Sequence, residues 1–485
     1  MVARTVQSRA IAGSEGLRSI ALWPITLTEH SIDIREGSPC AARGDGFEAS
    51  VCIVMGISTA AFFLVWSLSA TASAAPQVES TVRGVRERAV EQERKRRVRL
   101  EFDERPSIRV DGLLRLDFRV ISQADWRDVS SSSANADHGT FDVERLRVGI
   151  EGTVVRRLEY QVEREMRDSR DPWRDAFVNL RLFPAAEIQA GHFKLPFSLD
   201  QTTGSKGLDF TYRSLAASYL APGRDLGVMV HGGAGGNALR YEVGVFRRGG
   251  KASLVGAGAT SVDPRTVAGR LVLRPWLPNT PKPFRALSIG LAVTSGRVPD
   301  GLNGLRGRTF AEDVFFNPVY VSGLRRRVGV EMQWRMGPVS AQGEAIRVGD
   351  ERKGQGIDDE NLPDAVSRGW YLSGTWLVTG ERKKGTVEPT RALSRRGFGA
   401  IELAGRIEAL EFGSDVAGGV SSQGPRASRI LEKSDSAVTA GVNWYLRKFL
   451  KVQADLMREL RRDDGRVLDN RGRLWSRTFR VQFAL

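Results

Sequence analysis

The sequence predicts an all-β chain, a closed antiparallel up-and-down barrel of about 16 strands that crosses a membrane. Three observations predict it. Apolar and polar residues alternate at period two from residue 107 to the C-terminus. Short turns alternate with longer polar stretches along the same region, and no clear linker interrupts it after Pro106. Composition agrees: with 41% hydrophobic and 27% charged residues the chain is too polar for a helical membrane protein, which needs repeated apolar runs of roughly 18 residues or more. Its aromatic and β-branched content is too high for a disordered chain. The 52 glycines among 485 residues exceed the usual ~7% and suit a protein of many turns and close strands.

The one long apolar run is residues 51–68 (VCIVMGISTAAFFLVWSL), followed by Ala72, Ser73 and Ala74. An apolar stretch ending in a small-x-small triplet is what a signal peptidase reads, so residues 1–74 are expected to be a signal region cleaved after Ala74. The run begins later than a signal peptide should, and a start codon downstream of Met1 would explain the extra N-terminal residues. A single membrane anchor is the other reading. Cys40 and Cys52 both precede the cut, so the exported chain would carry no disulfide and no thiolate metal site. Residues 1–74 hold five basic and six acidic residues, so their loss raises the net charge from +15 to +16. Such a surplus points to an anionic solute or membrane surface, and export argues against nucleic acid. Arginine outnumbers lysine 61 to 11; a GC-rich genome explains this as well as oxyanion binding does.

Residues 75–105 mix nine basic with seven acidic residues and read as a charged lead-in, helical or flexible. Residues 106–485 are the expected barrel. Leu114, Leu116, Phe118 and Val120 alternate with Arg115, Asp117 and Arg119; Leu146, Val148 and Ile150 alternate with Arg145, Arg147 and Gly149. Leu158, Tyr160 and Val162 alternate with Glu159, Gln161 and Glu163. The same pattern recurs at Val328–Met332–Trp334 and at Val438–Val442–Trp444, and the chain ends on Phe479, Val481, Phe483 and Leu485 at period two. Arg156-Arg157 and Gly337-Pro338 read as short turns; residues 125–140, 349–367, 380–395, 414–436 and 461–473 read as the longer connections. Period two alone cannot separate a soluble sandwich, whose charged face meets water, from a barrel, whose charged face lines a wet lumen. The unbroken run of strands decides for the barrel.

Between Phe141 and Arg248 the chain carries RLRVGIEG (Arg145 to Gly152), DAFVN (Asp175 to Asn179) and QAGHFKLPFS (Gln189 to Ser198). LDQTTGSK (Leu199 to Lys206), Tyr212-Arg213-Ser214 and LAPGRDLGV (Leu220 to Val228) follow. This ordered series resembles the phosphate-selective porin O/P family; later strands match in pattern only. The resemblance implies an outer-membrane barrel of about 16 strands, a homotrimer, passing small anions by diffusion. It also implies an inward constriction loop, here near residues 199–208, with Ser205 and Lys206 at the anion-contacting pair. The family's arginine ladder cannot be transferred residue by residue. The alternation does place Arg115, Arg119, Arg145, Arg147 and Arg181 on the polar, lumen-facing side, and rings of arginine favour anions. Asp117, Glu151, Glu159, Glu163 and Glu165 share that side, so the wall is mixed and phosphate specificity does not follow.

No catalytic, cofactor-binding or metal-binding constellation is found. Past residue 74 only His138, His192 and His231 remain, without a metalloprotease, nucleophile-elbow or P-loop motif. The glycine run Gly232–Gly236 has no helix after it to present amide groups to phosphate and reads as a turn. The expectation is a passive porin for small anions, phosphate among them, partnered by outer-membrane lipid, with no enzyme activity, no cofactor and no nucleic acid. A non-specific porin, an adhesive or structural barrel with a plugged lumen, and a soluble exported glycan-binding β-protein are the alternatives.

Overall fold

The computed structural model describes residues 98–102, 105–130, 138–168, 172–250, 265–274, 284–383, 385–415, 430–463, 466–467 and 473–485. The chain divides into Met1–Arg88 and Ala89–Leu485. The first unit, with the expected signal region 1–74, lies outside the described residues, as does the lead-in as far as residue 97.

Among the described residues, sixteen antiparallel strands form the barrel. They are β1 (Leu114–Val129), β2 (Thr140–Val154), β3 (Leu158–Glu165), β4 (Trp173–Phe183), β5 (Ala186–Lys194), β6 (Arg224–Ala234), β7 (Leu239–Phe246) and β8 (Thr266–Leu273). The second half comprises β9 (Leu287–Leu302), β10 (Tyr320–Met336), β11 (Val339–Arg352), β12 (Leu362–Leu377), β13 (Ala400–Ser414), β14 (Lys433–Arg447), β15 (Leu450–Asp463) and β16 (Arg473–Ala484). Each strand pairs with its neighbour in sequence, and β16 closes on β1 with Ser476 opposite Val129 and Ala484 opposite Ile121. Closure gives each of the sixteen barrel strands a partner on both sides, which an apolar bilayer demands.

The faces are inverted relative to a water-soluble sheet. On β10 the outward Val328, Val330 and Met332 are 45%, 51% and 38% exposed, whereas the inward Arg327 and Glu331 are 2% and 5% exposed. Apolar side chains therefore meet the surroundings and charges are enclosed, as a bilayer-spanning barrel requires. Turn chemistry fixes the register. Gly337 adopts φ 60° ahead of Pro338, the left-handed first position of a two-residue hairpin turn, and sets Met336 opposite Val339.

Two expectations need correction. Residues 98–101 of the lead-in are not helical: Val98–Glu101 is a strand, paired in register with Ser107–Val110. Ser107–Val110 in turn pairs with β1, with Ile108 opposite Leu116. The alternation Val98-Arg-Leu-Glu101 has period two, which the surrounding charge obscured. The stretch 380–395, expected among the longer connections, joins the ends of β12 and β13 on the same rim as the short turns at Gly337-Pro338 and Lys448-Phe449.

The wall is unequal in height. Strands β3 to β8 have 8 to 11 residues, and β9 to β15 have 14 to 17. Inside the tall half the lumen is filled. Leu215, Ala216 and Leu220 from the loop after β5, and Phe315 and Phe316 from the loop after β9, pack on inward Ile346, Leu410, Phe412 and Met457. Phe316 stacks on Phe412 at 4.3 Å between ring centroids.

Candidate functional site

The loop between β5 and β6 crosses the lumen. It contains two short helices, α1 (Leu199–Thr202) and α2 (Leu215–Leu220). Each starts on a serine whose hydroxyl accepts from a backbone N–H: Ser198 from Gln201 at 3.1 Å and Ser214 from Ala217 at 3.2 Å. Such caps satisfy amide groups that a helix start leaves unpaired. Asp200 ties the two helices, accepting from the Ser214 N–H at 2.7 Å and hydroxyl at 3.0 Å.

Side chains from the wall hold the loop's backbone on every side. Lys451 Nζ donates to the Leu208 carbonyl at 2.8 Å, and Asn443 donates to the Asp209 carbonyl at 2.8 Å. Asp455 accepts from both the N–H and the hydroxyl of Thr211, at 2.6 and 2.7 Å. Glu408 accepts from the Leu215 N–H at 2.6 Å. Arg480 grips Asp125 with two hydrogen bonds of 2.7 and 2.6 Å, both side chains fully buried, and also donates to the Thr211 carbonyl. From the connection between β12 and β13, Lys383 Nζ reaches Asp209 at 2.6 Å, Glu402 at 2.7 Å and Thr375 at 2.9 Å. Burial nonetheless pushes the Asp209 carboxyl above its ordinary range, against the pull of Lys383. It likewise pushes the Arg213 guanidinium down. The loop is thus a fixed partition.

Beside that partition, against the short-walled half, lies a cavity of about 320 Å³. Its cationic lining is Arg119, Arg147, Lys194, Lys206, Arg224 and Arg270; its carboxylates are Glu163, Asp175 and Glu242. Several cations are held by acids. Arg224 binds Asp175 through two bonds of 3.1 and 2.8 Å, Arg270 binds Glu331 at 2.6 Å and Glu242 at 3.2 Å, and Arg119 pairs with Glu151. Lys194 Nζ instead donates to the Thr202 and Thr203 carbonyls at 3.3 and 3.0 Å. The lining has six cations against three carboxylates, while Glu151, Glu165 and Glu331 pair with Arg119, Arg147 and Arg270 from just behind it.

The residues expected from sequence fall into three groups. Lys206, Ser205, Arg119 and Arg147 line the cavity together. Ser205 is also an anchor, its hydroxyl accepting from Arg147 at 3.0 Å, while Arg147 binds Glu165 at 2.9 Å. Arg145 faces inward beside the cavity and donates to Gln123 at 2.6 Å. Arg115 and Arg181 lie near the short-turn rim, half-exposed and paired with Asp117 and Glu159. Sequence reasoning missed Lys194, Arg224 and Arg270. Lys194 has the phase of outward Ile188, and only its place at the strand's end lets it turn inward. Arg270 does alternate with outward Val267 and Leu271, a signal diluted by apolar neighbours on both faces of β8.

A closed barrel with an inverted surface and a lumen narrowed by an inward loop defines a channel of the bacterial outer membrane. The chain belongs to the phosphate-selective porin O and P family, whose model matches residues 115–483. No curated protein sequence matches it. Among solved structures it is similar to OmpT, an outer membrane protein of Vibrio cholerae, at 10% identity and TM-score 0.48, covering 78% of this chain and 99% of that one. It is also similar to the outer membrane channel DcaP of Acinetobacter baumannii, at 11% identity and TM-score 0.48 over 78% and 99% of the two chains. OprB of Pseudomonas putida gives 10% identity and TM-score 0.47 over 77% and 95%.

Proposed function

We propose that this porin passes small anions, phosphate among them, by passive diffusion along its short-walled side, and that it is not an enzyme. The observation that carries the reading is the cavity between the loop and β1 to β8, whose lining presents six cations and three carboxylates to the lumen. Most of its cations are already paired, so a passing anion would meet a positive field from fixed forks and no complete cage. Weak, multi-site contact of that kind lets ions leave as readily as they enter. Lys206 with Ser205, joined by Lys194, would be the contact on the loop side; Arg119, Arg147, Arg224 and Arg270 would be the wall. The apolar filling of the tall half suits the plugged-barrel reading, but the cavity beside it does not.

The family resemblance also brings a homotrimer. The unequal wall supports it at β3, β7 and β8, of eight residues each: eight residues rising ~3.3 Å each at ~45° tilt span about 19 Å, less than the ~25 Å apolar band of such barrels. A neighbouring copy against β3 to β8 would complete that band. The leading segments, a cleaved 1–74 and a periplasmic lead-in, belong to the same proposal.

Reversal potential across a planar bilayer under a chloride gradient, followed by phosphate titration, tests this function. Anion-selective current that phosphate reduces supports a phosphate-binding pore; anion current indifferent to phosphate means a general anion porin. Absence of current from folded, heat-modifiable protein would overturn the reading in favour of the plugged barrel.

A further inference from the structure

The outward face carries a second, separate set of arginines. Toward the short-turn rim the outward positions are apolar, as in Met332, Trp334 and Met336 of β10 or Val481 and Phe483 of β16. Toward the long-loop rim the same alternation places Arg326, Arg347, Arg368, Arg458 and Arg477 on that face, all exposed. Each follows the phase of residues that meet lipid: Arg326 that of Val328, Arg368 that of Trp370 and Arg458 that of Leu456.

The set is densest on β10 to β12. Arg347 stands directly opposite Arg368 across one ladder and opposite Val328 across the other, two residues from Arg326. Directly opposed side chains on a sheet lie about 5 Å apart and diagonal ones about 7–8 Å, and like charges so placed repel. Acids relieve this only in part. Glu411 lies 3.7 Å from Arg368, and Glu351 lies 4.0 Å from Arg326 while binding Lys353 at 2.8 Å; Asp364 stands near Arg326 and Glu351. Beside Arg326 a groove of about 520 Å³ opens, lined also by Arg297 and Lys353 and by the acids Asp300 and Glu351. Elsewhere on the girdle Arg458 stacks on Trp475 at 5.3 Å, an interfacial arrangement with the aromatic body in the apolar layer and the charge at its edge.

Long loops mark the outer side of such a barrel, so the arginines sit at head-group depth in one leaflet only. We infer that this girdle, and above all Arg326, Arg347 and Arg368, binds the phosphate groups of a phosphorylated lipid in the outer leaflet. Guanidinium forks suit phosphate oxygens, and a phosphate between Arg347 and Arg368 would turn their repulsion into a shared bond. This site is independent of the lumen and of the solute that crosses it.

The test uses the purified full-length protein, with native mass spectrometry reporting bound lipid. Probes are diphosphorylated lipid A, its dephosphorylated counterpart and inorganic phosphate. The diphosphorylated lipid should bind at least tenfold more tightly than the dephosphorylated one. The triple variant Arg326→Gln, Arg347→Gln, Arg368→Gln should lose that margin and keep its conductance and ion preference. Equal retention of both lipids, or an unaltered triple variant, would overturn the site. Inorganic phosphate binding at these arginines as tightly as the lipid would overturn the lipid assignment. Should the triple variant fail to fold, the single Arg347→Gln variant decides, with at least a threefold loss expected and no change overturning the proposal.

Discussion

The two halves of this barrel use the same alternation to opposite ends. Along β9 to β15 the inward face combines anchors such as Glu408 and Asp455 with an apolar cluster that buries α2. Along β1 to β8 the inward face is lined by paired charges around open space. Strands β9 to β15 hold the partition, and the short β3 to β8 together with the tall β1 and β2 keep the passage. A charged lumen face is therefore no guarantee of a conducting one, since a charge spent on a loop amide is not available to a solute.

Breaking the anchor should produce the largest effect. Arg480→Ala leaves Asp125 buried and uncompensated, a loss of about 3–5 kcal/mol. It should lower the thermal transition of the purified barrel and widen its single-channel conductance, because Thr211 also loses a donor. Next is Gly369 on β12, where an added Cβ would stand 2.9 Å from the Ala216 side chain and 3.1 Å from Leu220. Gly369→Val should cost about 1–3 kcal/mol by overpacking and displace α2, read as increased protease cleavage within the loop.

Charge reversal in the short half sharpens the comparison. Lys206→Glu together with Lys194→Glu changes the wall by four unit charges and should shift ion preference toward cations by about 4 kcal/mol, at ~1 kcal/mol per unit charge about 4 Å away in water-like surroundings. Reversal potential reads it, and unchanged selectivity would remove both lysines from the mechanism. The smallest effect belongs to the rim. Arg115→Ala and Arg181→Ala break half-exposed pairs and should each cost under about 1 kcal/mol, with conductance and selectivity unaltered.

How much of this was legible in the sequence depends on range. Strand phase is local, and residues such as Leu114 to Val120 announced both face and period. The porin motifs around Gln189 to Lys206 pointed to an inward loop near residues 199–208, and α1 and α2 lie in the connection between β5 and β6. The apolar filling of one half was not legible, because inward Ile346, Leu410 and Met457 acquire meaning only when α2 arrives from more than 100 residues away. Lys383 was hidden for the same reason: its partner Asp209 is 174 residues distant. Lys194 escaped because period-two reasoning fails where a strand gives way to a loop.

The central claim is that ions pass through the short-walled half, and cysteine accessibility tests it most directly. Residues 106–485 contain no cysteine, so a single one can be placed at will. Gln189→Cys lines the cavity, and Ala437→Cys lies in the filled half, where Ala437 is 3% exposed. A sulfonate-bearing thiol reagent added to the open channel should cut current and anion preference in the Gln189→Cys protein and leave the Ala437→Cys protein untouched. Current lost at Ala437→Cys with none lost at Gln189→Cys would place the passage on the wrong side of the loop and contradict the account.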